Sequence, residues 1–274
     1  MTRVALLQMT SGIDPAANGR TLVAGVAEAK AGGAAMLFTP EMSGLVDGDR
    51  DRAAGSLKRE EDDRVLAAVR EAAAAHGIWL HIGSLAVLRE DGKLANRGYV
   101  IDDGGAIRAR YDKMHLFDVD LPTGESWRES NSYTAGERAV TVKTPLGVLG
   151  LAICYDLRFP DLFRSLSDAG ATILAMPAAF TRPTGAAHWH ILQRARAIEG
   201  AAFVISAAQT GVHEDGRATY GHSLVVDPWG EVLLDMGEPA GLGFAEIDQG
   251  RVEAARTRVP VLRHRRAIPD VEAL

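Results

Sequence analysis

The chain reads as an α/β protein made of two related halves, and three observations carry that reading. Short apolar runs alternate with helix-like stretches, the order of these elements recurs, and the runs are apolar throughout rather than alternating. Ala31-Gly-Gly-Ala-Ala-Met-Leu-Phe-Thr-Pro40 is echoed by Asp168-Ala-Gly-Ala-Thr-Ile-Leu-Ala-Met-Pro177, and Val100-Ile-Asp-Asp-Gly-Gly-Ala-Ile107 by Val225-Val-Asp-Pro-Trp-Gly-Glu-Val232. Units this long are not solenoid repeats; they mark a duplicated α/β module. Strands that are apolar on both sides belong to sheets covered on both faces. Two such halves packed sheet against sheet, with helices outside, give a four-layer α-β-β-α sandwich of pseudo-symmetric halves; a single wound sheet is the alternative. No Pro/Gly/Ser-rich linker divides residues 1–274, so one domain is expected.

Residues 4–8 are apolar enough for a buried strand, and residues 18–31 suit a helix ended by Gly32-Gly33. Residues 35–38 form a second short strand, closed by Thr39-Pro40-Glu41. Residues 64–76 place Val65, Leu66, Val69 and Ala72-Ala73 at helical spacing and stop at Gly77, after which 78–82 read as a strand. Residues 98–101 and 106–111 flank Asp102-Asp-Gly-Gly105, whose Asp/Gly pairs supply the positive φ of a hairpin turn. Residues 112–137 are polar and without sustained period, and a loop this long inside a compact domain usually carries function. The second half repeats the order, with strand 148–153, helix 160–169, strand 172–175, helix 191–199, strand 202–206 and the second hairpin.

Composition narrows the partners. A formal net charge of −6 gives no general field for attracting phosphate backbones, so nucleic acid is not expected. The acidic cluster Arg59-Glu-Glu-Asp-Asp-Arg64 reads as a solvated helix start, and the basic run Arg263-His-Arg-Arg266 as a solvated or dimer-facing terminal segment. No apolar stretch approaches the roughly 18 residues of a membrane span, and the first residues are too short an apolar run for a signal peptide. One cysteine cannot form an internal disulfide. A soluble, cytoplasmic protein without a membrane partner is expected.

That cysteine, Cys154, is on composition alone best explained as a small buried hydrophobe. Its company argues otherwise. Glu41, Lys113 and Cys154 each stand just past an apolar strand, where α/β proteins bind ligands. A thiol with a pKa near ~8.5 is only slightly ionised at neutral pH and needs a base or a cation beside it. A carboxylate whose pKa is raised by desolvation can take its proton, and a lysine ammonium would favour the thiolate and later neutralise an oxyanion. The trio suits acyl transfer.

Thr39-Pro-Glu-Met-Ser43, Tyr111-Asp-Lys-Met-His-Leu-Phe-Asp118 and Ile153-Cys-Tyr-Asp-Leu-Arg-Phe-Pro160 resemble the three signature segments of the nitrilase, or carbon–nitrogen hydrolase, superfamily. The resemblance implies an α-β-β-α sandwich with Glu41, Lys113 and Cys154 catalytic, and Glu129 as a second glutamate that places substrate and base, with Glu125 its nearby competitor. It also implies Tyr155 as backbone oxyanion donor, no metal or organic cofactor, and a homodimer formed near the helix that follows the nucleophile. Ala187-His-Trp189, Arg194-Ala-Arg-Ala-Ile-Glu199, Ala207-Ala-Gln209 and Tyr220-Gly-His-Ser-Leu-Val-Val-Asp-Pro-Trp-Gly230 are similar to the Nit-type amidases. For these the implied reaction is hydrolysis of a linear amide in a small carboxylated molecule through a thioester, with deaminated glutathione as first substrate. An omega-amidase acting on 2-oxoglutaramate, an N-carbamoyl amino acid or nitrile hydrolase, and a binding scaffold of the same fold stay open.

An anionic substrate calls for a cation. Arg158 is the first candidate, with Arg182 and Arg194 behind it, and His188 is the second substrate-binding candidate. His188-Trp-His190 also raises a metal-dependent hydrolase, but histidines at i, i+2 do not share a helix face, and no third ligand stands at a standard spacing.

Overall fold

A computed structural model describes residues 1–120, 124 and 126–273. The first half runs β1 (Thr2–Gln8), α1 (Pro15–Ala31), β2 (Met36–Phe38), the short α2 (Arg50–Ala54), α3 (Arg64–His76), β3 (Trp79–Leu88), β4 (Leu94–Ile101) and β5 (Ile107–Asp112). The helix signals are local. Asp14 caps α1 by accepting the Ala16 N–H, with Pro15 at the first helical position, so α1 begins earlier than its apolar residues suggested. Asp63 caps α3 through the Leu66 N–H at 2.9 Å, and Gly77 ends it in the left-handed conformation.

A two-stranded ribbon, β6 (Asp118–Asp120) with β7 (Ser126–Arg128), lies inside the segment that sequence leaves irregular. The second half follows as β8 (Thr141–Thr144), β9 (Gly147–Leu151), α4 (Pro160–Asp168), β10 (Ile173–Ala175), α5 (Arg182–Gly200), β11 (Phe203–Ser206), β12 (Thr210–Val212), β13 (Ala218–Tyr220), β14 (Leu224–Val226) and β15 (Val232–Asp235). β16 (Gly241–Ile247), α6 (Gln249–Arg258) and α7 (Val261–His264) complete the chain.

The two large sheets have the orders β16-β1-β2-β3-β4-β5 and β8-β9-β10-β11-β14-β15. Strand directions match position by position. β1/β2 and β2/β3 are parallel, as are β9/β10 and β10/β11, and every outer pair is antiparallel. The duplication read from sequence is therefore a repeated sheet. Sequence did not signal β16, which crosses from the end of the second half to pair with β1 from Thr2↔Ile247 to Gln8↔Gly241.

Burial fixes the layers. On β1, Val4 and Leu6 join a core with Leu149 and Leu151 of the opposite sheet, while Ala5 and Leu7 pack with Leu22 and Val26 of α1 and Val69 of α3. The same buried cluster extends to Leu162 and Phe163 of α4 and Trp189 of α5. The order is helices, sheet, sheet, helices, as the alternating sides of a strand require. At the seam, a Cβ on Gly83 would lie 2.3 Å from the Thr39 carbonyl oxygen and 2.5 Å from Pro177 Cβ. Only glycine lets these backbones approach, and the approach sets the end of β2 against the end of β10. No helix among the described residues is long and apolar enough to cross a membrane.

Candidate active site

Glu41 follows β2, Lys113 follows β5, and Cys154 opens a 3-10 turn (Cys154–Arg158) just beyond β9. These strand ends meet. Lys113 Nζ donates to Glu41 Oε1 at 2.9 Å and to Glu129 Oε2 at 2.9 Å. Asn96 Nδ2 bridges the same pair, at 2.9 Å to Glu41 Oε1, the oxygen Lys113 also uses, and 3.0 Å to Glu129 Oε1. The Ala179 N–H donates to Glu41 Oε2 at 2.9 Å, and the Phe117 N–H to Glu129 Oε2 at 2.7 Å. Glu41, Lys113 and Cys154 are all buried, and the Cys154 thiol hydrogen bonds with Glu41. Glu125 lies outside the described residues.

The turn that carries the thiol is held in a strained shape. Cys154 has φ +51°, a conformation few non-glycine residues adopt, and such strain collects at functional sites. Its N–H donates to the Pro177 carbonyl at 2.9 Å. Asp156, fully buried, accepts from the Ile153 N–H at 2.9 Å, the Tyr111 hydroxyl at 2.7 Å and the His115 N–H at 3.0 Å, with His115 Nδ1 2.7 Å away. It thereby ties the cysteine turn to the segment around Lys113. Asn96 and Asp156 were not anticipated as site residues. Asn96 had a signal, a lone amide just before an apolar strand.

The electrostatics correct two expectations. Burial opposes charge on Glu41, but the Lys113 ammonium and the hydrogen bonds from Lys113, Cys154 and Asn96 outweigh it and hold the carboxyl below its ordinary value. Burial likewise opposes charge on Lys113, yet Glu129 and Glu41 push its pKa well up. For Cys154, burial and the neighbouring Glu41 charge push the thiol well above its ordinary value, and Lys113 only partly offsets them. The resting proton therefore sits on sulfur. Desolvation suggested a raised glutamate and the lysine an activated thiolate; the paired ammonium reverses the first, and burial with the neighbouring carboxylate the second.

Cys154, Lys113 and Glu129 open onto a cavity of about 830 Å³ that Tyr155, Arg158 and Arg217 also line. The Arg158 guanidinium lies over the Tyr155 ring at 5.9 Å and the Phe180 ring at 5.5 Å, and its Nη1 is 3.2 Å from His188 Nδ1. His188 is not among the lining residues; it stands on the exposed side of α5 and reaches the cavity only through Arg158. Arg182 and Arg194 are directed elsewhere, to the carbonyls of Thr219 and Gly230. His190 has partners that sequence spacing hid: its Nε2 is 2.9 Å from Asp235 Oδ2, and His222 Nδ1 is 2.8 Å from Asp235 Oδ1. None of those three lines the cavity.

Known proteins share this architecture. A family model described as carbon-nitrogen hydrolase matches residues 3–257. The deaminated glutathione amidase of Rattus norvegicus is 42% identical over 275 residues, spanning 98% of this chain and 83% of that protein. The crystal structure of the C. elegans NitFhit protein superposes with a TM-score of 0.90 at 39% identity, covering 97% of this chain; the chain spans only 65% of that protein. A variant of the amidase from Nesterenkonia sp. AN1, with the acetamide moiety of fluoroacetamide added covalently at its active site cysteine, has a TM-score of 0.82 at 26% identity over 97% of this chain and 94% of that one. With the duplicated sheets and the matched length, these place the chain in the carbon–nitrogen hydrolase family, among its Nit-type amidases, as a hydrolase of C–N bonds other than peptide bonds.

Proposed function

We propose that the chain hydrolyses the amide of a small carboxylated substrate, deaminated glutathione foremost, with Glu41, Lys113 and Cys154 as the catalytic residues and Glu129 in support. The observation that carries the proposal is the buried contact set in which one ammonium and one amide bridge two carboxylates beside a strained cysteine. The rat relative's name supplies the substrate, and Arg158 and Arg217 on the cavity wall suit its carboxylates.

In this mechanism Glu41 takes the Sγ proton as sulfur attacks the amide carbonyl carbon. An ammonium has three N–H donors; Lys113 commits two to Glu41 and Glu129, and the third meets the developing oxyanion beside the Tyr155 N–H. Collapse breaks the C–N bond, and Glu41 returns the proton to the departing amine. A water then gives its proton to Glu41 and attacks the thioester, and the sulfur leaves with that proton. Since the thiol is neutral at rest, proton transfer and attack are coupled, and Glu129 holds Lys113 and Asn96 in place through both halves.

The test is kcat/KM for deaminated glutathione, 2-oxoglutaramate, an N-carbamoyl amino acid and a simple nitrile, side by side. A clear preference for the first supports the proposal. Preference for a nitrile or carbamoyl compound would reassign the substrate, and no turnover of any would leave a binding scaffold.

The pKa directions predict the pH profile. kcat/KM reports groups of the free enzyme, so it should be flat from the ordinary carboxylate value of 4.5 to the ordinary thiol value of 9.0. A limb with a midpoint near neutrality would show a free thiolate and contradict the coupled step. Stability follows the same groups. Glu41 is depressed, so its contribution is present above 4.5 and lost as pH falls through its lower native value; Lys113 is raised, so its contribution is complete below 10.5 and lost as pH rises through its native value.

We also propose a cytoplasmic homodimer, the whole chain acting as one domain. The lone cysteine suits a reducing compartment. Ile191 and Ile198 share a face of α5 and are 72% and 49% exposed, and Gly230, next in sequence to the 59% exposed Trp229, lies against Ile198, an apolar surface that water disfavours. Ile198→Glu should convert dimer to monomer by light scattering at micromolar concentration. An unchanged dimer mass would move the contact elsewhere, and a monomeric parent would remove it.

A further inference from the structure

Arg217 stands immediately before β13, at the tip of the β12–β13 hairpin, and was not singled out by sequence. Its guanidinium lies 4.6 Å from the centroid of the Trp127 ring, and its side chain is 22% exposed, facing the cavity that holds Cys154. Among the described residues its one ion pair is with Asp215 at 3.5 Å, beyond normal hydrogen-bond length. Its Nε is buried without a partner. A guanidinium over an indole, with its donors largely uncommitted and a cavity in front of it, is built to receive a planar anion.

Its position says which part of a substrate it meets. Trp127 lies 6.3 Å from the Phe117 ring, and the Phe117 N–H holds Glu129. Through Trp127 and Phe117, Arg217 thus connects to Glu129, and the same Phe117 ring meets Tyr155 at 5.1 Å. Arg158 belongs to the wall that carries the nucleophile, against Tyr155 and Phe180. The leaving amine departs toward the group that protonates it, Glu41, which Lys113 and Asn96 tie to Glu129.

We infer that Arg217 and Trp127 form a subsite for a carboxylate borne by the leaving amine, while Arg158 serves the acyl side. The subsite selects amides whose amine is an amino acid or short peptide over amides that release ammonia. The inference rests on the amidase proposal above.

The test uses three substrates with one acyl group: deaminated glutathione, whose leaving amine is a carboxylated dipeptide; the same compound with that carboxylate capped as a carboxamide; and 2-oxoglutaramate, which releases ammonia. Arg217→Gln should raise KM for the first by about tenfold or more with kcat nearly unchanged, and leave KM for the other two within about twofold. Arg217→Lys, which keeps the charge but not the fork, should fall between. Equal losses on all three substrates would make Arg217 a brace for its hairpin and overturn the subsite, as would an unaltered KM for the first. Parent protein inactive on all three would instead overturn the amidase proposal and the subsite with it, a result distinct from either.

Discussion

Cys154→Ala is expected to lower kcat by about 10⁴-fold or more and to leave the melting temperature close to that of the parent. The chemical argument is that nothing nearby can replace the sulfur. The groups within the buried contact set are two carboxylates, an ammonium and an amide, all committed to one another. The structural argument is that alanine meets the same backbone cost at φ +51° and loses only one buried atom, worth about 1 kcal/mol. Two measurements separate chemistry from folding: release of the amine product, and thermal unfolding. Mass spectrometry during turnover should show the parent carrying the acyl group and the variant unmodified. A Cys154→Ala protein with the parent's rate would end the thioester mechanism.

The neutral resting thiol also alters what reactivity toward alkylating agents means. A raised thiol pKa predicts slow modification of the free enzyme at neutral pH even though the proposed mechanism makes this residue the nucleophile. Slow reaction with iodoacetamide therefore does not mark an inert scaffold. The informative comparison is with an amide-like electrophile that fills the cavity and can be protonated from Glu41 as its bond to sulfur forms.

What sequence made legible follows the reach of each signal. Buried runs such as Met36–Phe38 and Ile173–Ala175, the capped helix Arg64–His76 and the Asp/Gly turn are local, and they appear where expected. β3 continues to Leu88 because a bulge between Ile82 and Leu85 carries it past Gly83-Ser84, where the apolar run breaks. α5 begins at Arg182 although its first turns have no apolar period; Gly185 is packed so closely on Tyr220 that a Cβ there would lie 2.3 Å from the ring. β16 is glycine-rich and half exposed, and it is a strand only because β1 offers it an edge.

The site divides the same way. Glu41, Lys113 and Cys154 were read as candidates because each stands just past a strand, and Glu129, with Glu125 as its competitor, through the family resemblance. Arg217 is defined by Trp127, ninety positions away in sequence, and no spacing rule connects them. The directions of the pKa shifts belong to neither residue alone. They are set by which charge ends up 2.9 Å from which, and that is a property of the closed sandwich.

Lys113→Met should therefore do more damage than the loss of one donor. In the parent site one ammonium is paired with two carboxyl groups, and the variant leaves both without a cation. Removing one partner of a buried ion pair costs about 3–5 kcal/mol because the survivor stays desolvated, and here two survivors also repel each other. A loss near the lower end of that range is expected, since one carboxyl can escape by binding a proton. Burial then wins over the vanished Lys113 field, and the Glu41 pKa rises, so stability and any residual activity should acquire an acid limb at higher pH than in the parent. kcat should fall by about 10³-fold, combining a lost oxyanion donor with a displaced base. Adding Glu129→Gln to Lys113→Met removes one of the two stranded charges. Denaturant unfolding should recover part of the lost stability while kcat stays at or below that of Lys113→Met. Recovery of both would make Lys113 only a counterion, and recovery of neither would mean that Glu129 is not the carboxylate that Lys113 neutralises.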